Sequence, residues 1–443
     1  MSDPSAKPNA EMPSMGHSHA ATSRPHLHIA IPAMDELEYL PRTLQSIEHS
    51  VFSNKSSSEL PYTIYICINQ PDDWWNDTAE HRRICESNAT LLRVSEEYRT
   101  HHPVVVIDRS SEGRGWTGKN FGVGWARKVL FDHILSVAAP SDLIVSMDAD
   151  TQFGSGYLQS LLDSFGTHPQ WVALSAPYYH RLTGDENADR AILHYEIYMR
   201  NYAINMLRIG SPYSFTAIGS AIVMRAAALR KIGGITPVKS GEDFYLVQKL
   251  TKMGTVGSWN TECVYPAARF SDRVFFGTGP AMTKAAAGDL SSYPIYHHSL
   301  FSFVKETCRR TDELYEHDIR TEFLDFLQSQ FKDTDLWGTI RNNVKDANQF
   351  RRAFHEKADG LRILQFLKQK QKSVPIPDIQ SLYDNLVLFL TDETCAEATG
   401  ADFKNTLSEV RTADSIESLT TDTLSAVRDL LFKMEMALRH DLA

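Results

Sequence analysis

No stretch of this sequence reaches the roughly 18 to 20 uninterrupted apolar residues needed to span a bilayer. The best run, Ile134 to Met147, is short and is broken by Pro140, Ser141 and Asp142. The N-terminus lacks the basic-then-apolar order of a secretory leader. Cysteine is scarce. The five residues, Cys67, Cys85, Cys263, Cys308 and Cys395, are scattered and form no CxxC pair. That excludes a readable disulfide framework or cysteine zinc site and points to reduced thiols in a cytoplasmic protein. Positive charge is in deficit, with 45 Lys and Arg against 55 Asp and Glu and a net charge of −10. A protein that neutralises phosphate backbones carries the opposite balance, so nucleic acid is not an expected partner. What is present is ordinary for a globular chain: 443 residues, 42% hydrophobic and 23% charged, enough for a sizeable core in two or three domains.

Residues 1–25 are rich in Pro, Ser, Ala, Met and Asn and read as a disordered lead, with His17 and His19 as solvated tail residues. From His26 the pattern is regular. Strands are expected at Leu27 to Ala33, Thr63 to Asn69, Val104 to Asp108, Asp142 to Asp150 and Trp171 to Pro177. Asp35 stands where a helix N-cap belongs, before apolar residues at Leu37, Leu40, Leu44 and Ile47. Further helices are expected over about Asn120 to Leu135 and Tyr157 to Phe165. This alternation predicts an α/β fold with a mostly parallel sheet between helices, over about 26–290. In such sheets ligands bind beyond the carboxyl ends of the strands. Asp35, Glu36, Asn69, Asp108, Asp148 and Asp150 cluster there.

From about Leu300 strand-like runs disappear. Leu424, Val427, Leu431, Met434 and Leu438 make a helical apolar stripe, and Phe323, Leu327 and Phe331 repeat the pattern. Residues 300–443 read as a helical appendage packed on the sheet domain or on a partner, which leaves a homo-oligomer through this tail open.

Four constellations carry chemistry. Asp148-Ala149-Asp150 follows the apolar strand LIVSM, and two carboxylates so placed can grip Mg²⁺ or Mn²⁺. A solvated turn is the bland alternative. Gly241-Glu242-Asp243 opens a helix, where the dipole favours a carboxylate; either acid could be a general base held ionised by that dipole, or could merely complement it. Gly241 would leave room for an acceptor. The run from Arg114 to Asn120 has two glycines, with Arg114 and Lys119 as cations for a phosphate or sugar, but its spacing does not fit the GxxxxGK[ST] loop. Arg269-Phe-Ser-Asp-Arg273, before Phe275-Phe-Gly277-Thr-Gly279, could be a mobile lid over a nucleotide or an ordinary charged loop. His297 and His298 follow, either a candidate metal ligand or a polar surface pair.

Taken in order, the pieces resemble the inverting family 2 of GT-A glycosyltransferases. The segments that carry the resemblance are Ile29 to Ile47, Gly113 to Ala126, LIVSMDADT, TAIGSAIVMRAAALRKIGGI and SGEDFYLVQKL, spanning about Leu27 to Gly279. The resemblance implies a GT-A (Rossmann-like) fold and transfer of a sugar from a nucleoside-diphosphate donor to a glycan, lipid-linked or small-molecule acceptor, with inversion. Pro32 and Asp35 or Glu36 would lie near the nucleotide. Asp148 and Asp150 would face the ribose and bind the Mn²⁺ or Mg²⁺ that bridges the diphosphate, with His297 as a further candidate ligand. Asp243 would be the base with Glu242 beside it, and Arg269 and Arg273 would touch the diphosphate. The chain departs from the family after the second strand, where Ile68-Asn69-Gln70-Pro71-Asp72-Asp73 replaces an aspartate-rich turn, so Asn69 or Asp72 is expected to read the base. The membrane spans and QxxRW-type motif of processive synthases are absent, which favours a single transfer; peripheral membrane contact stays open. Two alternatives compete. A nucleotidyltransferase would carry a glycine-rich loop where Pro32-Ala-Met-Asp-Glu36 stands. A non-catalytic relative would have lost the acids that this chain keeps.

Overall fold

The structure is a computed structural model that describes residues 24–53, 60–238, 241–270, 278–289, 292–400 and 403–443. Residues 1–23, including His17 and His19, and the segment 271–277, including Arg273, lie outside the described residues.

Nine strands are described: β1 (Leu27–Ala33), β2 (Tyr62–Asn69), β3 (Val104–Arg109), β4 (Leu143–Ser146), β5 (Thr151–Phe153), β6 (Trp171–Ser175), β7 (Ile222–Arg225), β8 (Thr255–Gly257) and β9 (Val264–Pro266). Seven form one sheet in the order β3-β2-β1-β4-β7-β6-β8. The pairs β1–β2, β2–β3, β1–β4 and β6–β8 are parallel, and β7 runs antiparallel to both its neighbours. Strands β5 and β9 make a separate antiparallel pair. All seven residues of β1 are buried, as expected of a central strand covered on both faces.

The flanking helices are α1 (Leu40–Phe52), α2 (Ala79–Arg99), α3 (Val123–Val137), α4 (Tyr157–Thr167), α5 (Glu186–Arg208), α6 (Ala226–Lys231), α7 (Glu242–Met253) and α8 (Thr278–Ala286). The C-terminal region is helical: α9 (His298–Arg309), α10 (Thr311–Glu316), α11 (Glu322–Phe331), α12 (Leu336–Asn342), α13 (Ala347–Lys357), α14 (Gly360–Ser373), α15 (Asp378–Phe389), α16 (Glu393–Thr399), α17 (Phe403–Thr412) and α18 (Thr421–Asp441). The whole is a mixed, mostly parallel sheet between helices, followed by an all-helical region. No helix among the described residues is long and apolar enough to cross a membrane.

Two expectations are corrected. Asp35 is not a helix cap. It sits at φ +57 in the left-handed region, pairs with Arg83 at 2.6 Å, and the helix begins only at Leu40, where Pro41 suits the first turn. The fourth strand is also shorter than read. It runs from Leu143 to Ser146, because Asp142 turns away to accept from the His26 and Ala139 amides, while Asp148 to Asp150 leave the sheet in a turn toward β5.

The tail is packed within the chain. Leu424, Val427, Leu431 and Met434 are buried in one cluster with Leu193, Ile197 and Ile204 of α5. These residues of the stripe are thus covered by α5 of the same chain. A buried charge network pins the same contact. Glu196 of α5 receives His180 at 2.6 Å, Arg200 at 3.3 Å and Arg428 at 3.4 Å, and Glu435 of α18 receives Arg200 and Arg439, each at 2.7 Å. Burial opposes ionisation of Glu196, but Arg200, His180 and Arg428 outweigh it and hold the carboxyl down at about 2. This network fixes α5, whose Tyr195 and Tyr198 reach into the cavity described next.

Candidate functional site

A cavity of about 650 Å³ opens beyond the carboxyl ends of β1 and β4. It is lined by Pro32 near the end of β1, Glu36 after it, Asn69 at the end of β2, Asp148 and Asp150 after β4, Glu242 and Asp243 at the start of α7, and Arg269 after β9. Eight of the residues singled out in the sequence therefore meet in one place. The others do not. Asp35 faces Arg83. Arg114 is exposed, 3.5 Å from Asp108, and Lys119 is exposed and does not line the cavity. His297 is a correction to the metal expectation: it caps α9, accepting from the Ser299 amide, and lies 3.3 Å from Asp384 of α15, apart from the acids of the cavity.

The Asp148–Asp150 turn is held from several sides. Thr43 of α1 donates to the Ala149 carbonyl at 2.7 Å. Ser220, just before β7, donates to Asp148 Oδ2 at 2.8 Å and accepts from Thr151 at 2.7 Å. Each aspartate also has an arginine. Arg127 of α3 pairs with Asp148 Oδ1, and its other terminal nitrogen lies 2.5 Å from Glu242 Oε1. Arg269 lies 2.7 Å from Asp150 Oδ2 and 2.5 Å from Glu36 Oε1, with its guanidinium 4.3 Å from the centre of the Tyr39 ring. Burial works against the charge of both arginines, but the carboxylates overcome it and hold each more firmly protonated than usual.

Asp243 behaves differently from the sequence expectation. Burial, then the adjacent Glu242, push its carboxyl up to about 7, against the opposing pull of Arg127 and of the Phe244 amide, which donates to Oδ1 at 2.7 Å. The helix terminus alone does not keep it ionised. Gly241 is favoured by its backbone conformation. It caps α7 at φ +80, and an added Cβ would meet nothing within 4 Å among the described residues.

At the second strand, Asn69 donates to the Ala33 carbonyl at 3.0 Å and accepts from Trp116 Nε1 at 3.1 Å. Asp72 instead accepts from the Gly113 and Gly115 amides and pins that loop. Of the two candidates for base reading, Asn69 is the one that lines the cavity.

Arg127 and Ser220 were not among the residues the sequence pointed to. Arg127 had a signal: it lies on the stripe of Val123, Leu130, Phe131 and Ile134, where a charge has no place in a simple buried face. Leu361, Leu364 and Lys368 of α14 also line the cavity, and nothing local in the sequence ties them to it.

For a metal, Asp148 and Asp150 offer carboxylate oxygens toward the cavity, and among the described residues no group of three or more His, Cys, Asp or Glu gathers to complete a cage. Two carboxylates fit a hard cation that keeps water and phosphate oxygens as its remaining ligands, as Mg²⁺ does. Such an ion would share both carboxylates with Arg127 and Arg269.

No family model matches this chain, and no curated protein does. Among solved structures it is similar to residues 1–349 of S. aureus TarS, at 11% identity and a TM-score of 0.38 over 91% of this chain and 90% of that one. Crystal structures of the same TarS segment in complex with UDP-GlcNAc and with UDP are similar at 12% identity and a TM-score of 0.37, with the same coverage. Likeness this loose carries no argument about chemistry, which rests on the residues of the cavity.

Proposed function

We propose that this chain transfers a sugar from a nucleoside-diphosphate donor to an acceptor hydroxyl, once per encounter and with inversion. The observation that carries the reading is the convergence, in one cavity at the carboxyl ends of the sheet, of two charge-paired aspartates and a separate carboxyl with a raised proton affinity.

The acids and arginines on the sheet side suit the donor. Asn69 and Pro32 stand where the nucleoside would lie. Arg269 suits the diphosphate, since a guanidinium pairs with phosphate in a fixed fork. Asp148 and Asp150 would hold Mn²⁺ or Mg²⁺, which when bound would neutralise charge on the departing diphosphate. Asp243 takes the proton of the acceptor hydroxyl. That oxygen forms a bond to the anomeric carbon as the bond from that carbon to the diphosphate oxygen breaks, and the electron pair leaves with the nucleoside diphosphate. A base raised to about 7 is matched to this work near neutral pH.

The test is a calorimetric donor screen with UDP-, GDP- and dTDP-sugars, each with and without Mn²⁺. Saturable binding of at least one, lost on Asp150→Ala, is the expected result. No binding by any of them in either condition would sink the reading.

A further inference from the structure

Among the described residues, Arg127 is the charged side chain that touches both acidic stations of the cavity, Asp148 and Glu242. It is 3% exposed. Gly219 backs it so closely that a Cβ there would strike the guanidinium. Its Nε is buried with no hydrogen-bond partner among the described residues. An unmet buried donor is costly, and a buried ion pair can often be replaced by apolar residues without loss of stability. Packing alone therefore gives no reason for an arginine at this position.

We propose that Arg127 is a positioning residue that holds Asp148 and Glu242 as one unit, so that Asp243, and not Glu242, is left to take the acceptor proton. The inference rests on the glycosyl-transfer reading. Glu242 is only 3% exposed and engaged by Arg127 at 2.5 Å. Among the described residues, the Asp243 carboxyl accepts from the backbone amide of the next residue. Among the described residues, the groups that face Asp243 are Glu242 on its own helix, Arg127 on α3, Asp148 after β4 and Tyr195 on α5. Arg127 is the cation among them. One guanidinium thus carries two duties, orientation by two hydrogen bonds and a field that eases ionisation of the neighbouring acid.

Substitution separates the two. Arg127→Lys keeps the charge but cannot fork between two carboxylates, whereas Arg127→Met removes both. The readouts are donor consumption against pH, with the nucleotide sugar selected by the screen, and titration of the Asp243 carboxyl in the full chain by ¹³C NMR, its signal assigned with Asp243→Asn. For Arg127→Met we expect turnover at pH 7 to fall at least about tenfold, with the acidic limb and the Asp243 titration both moved up by about 1 to 3 units. For Arg127→Lys we expect lower turnover with the acidic limb near that of the parent. Full turnover in Arg127→Lys, or an Asp243 titration unmoved in a folded Arg127→Met, would overturn the assignment. If Arg127→Met does not fold, Arg127→Lys decides. A parent that consumes none of the sugars sinks the glycosyl-transfer reading instead, and the Asp243 titration alone then decides on Arg127.

Discussion

Arg200 of α5 lies 2.7 Å from Glu435 of α18, and neither side chain is more than 1% exposed. The pair joins residues 235 positions apart. It makes the C-terminal helix part of the support for α5, and so for the wall of the cavity that Tyr195 and Tyr198 supply.

Glu435→Ala should therefore destabilise the whole chain. It leaves Arg439 buried without its carboxylate and Arg200 sharing Glu196 with His180 and Arg428. Breaking one partner of a buried pair costs about 3 to 5 kcal/mol. A urea midpoint within error of the parent would remove the network from the list of stabilising contacts.

Acid should weaken the same joint. The folded carboxyl of Glu196 is depressed to about 2, below the usual value near 4.5, so its contribution is present above pH 4.5 and is lost as pH falls from there toward 2. Circular dichroism melts across that window should show a declining melting temperature in the parent, with a shallower decline in Glu196→Gln. Equal slopes would place the acid sensitivity elsewhere.

Asp243→Asn should leave donor affinity nearly unchanged and lower turnover by roughly 10² to 10⁴, the range for a positioned base. Because the base must be deprotonated and is raised to about 7, parent turnover should rise with pH through that value rather than near 4. Turnover of the variant within about threefold of the parent would move the base to Glu242.

Chelation tests the two aspartates. If they hold a divalent ion, excess chelator should abolish donor turnover, and Mn²⁺ or Mg²⁺ should restore it. Full activity in chelator would assign the diphosphate charge to arginine, with Arg127 and Arg269 already seated on Asp148 and Asp150.

Removal of the chain after Pro377 keeps α14 and its share of the cavity wall but strips α18 from α5. Leu193, Ile197 and Ile204 would then face solvent. Aggregation is expected, seen by light scattering. A monomeric and fully active truncation would show the last helices to be dispensable.

Much of the fold was legible because its central strands are continuous apolar runs, each with a sharp end. Leu27–Ala33 was read to the residue, and Tyr62–Asn69 and Val104–Arg109 to within one. The three- and four-residue strands β7, β8 and β9 were not anticipated, since so short a run carries almost no periodicity. The site was legible where acids follow buried strands, as at Asp148 and Asp150. It was misread at Asp35, where a backbone at positive φ overrode a side chain suited to capping. Asp243 was placed correctly, but its proton affinity was not, because that depends on burial and on Glu242 more than on the helix end. The cavity wall supplied by Leu361, Leu364 and Lys368 depends on tertiary packing across more than a hundred residues, which no local pattern encodes.

The α5–α18 joint also sets an order of events during synthesis. Arg200 leaves the ribosome 235 residues before Glu435. At about 5 to 20 residues per second, that interval is roughly 10 to 50 s. For that time α5 presents a greasy face and an arginine whose second carboxylate has not been made, and from the emergence of β9 onward the sheet half already has every described strand. The nascent chain must wait, shielded or unfinished, until α18 arrives to cover that face.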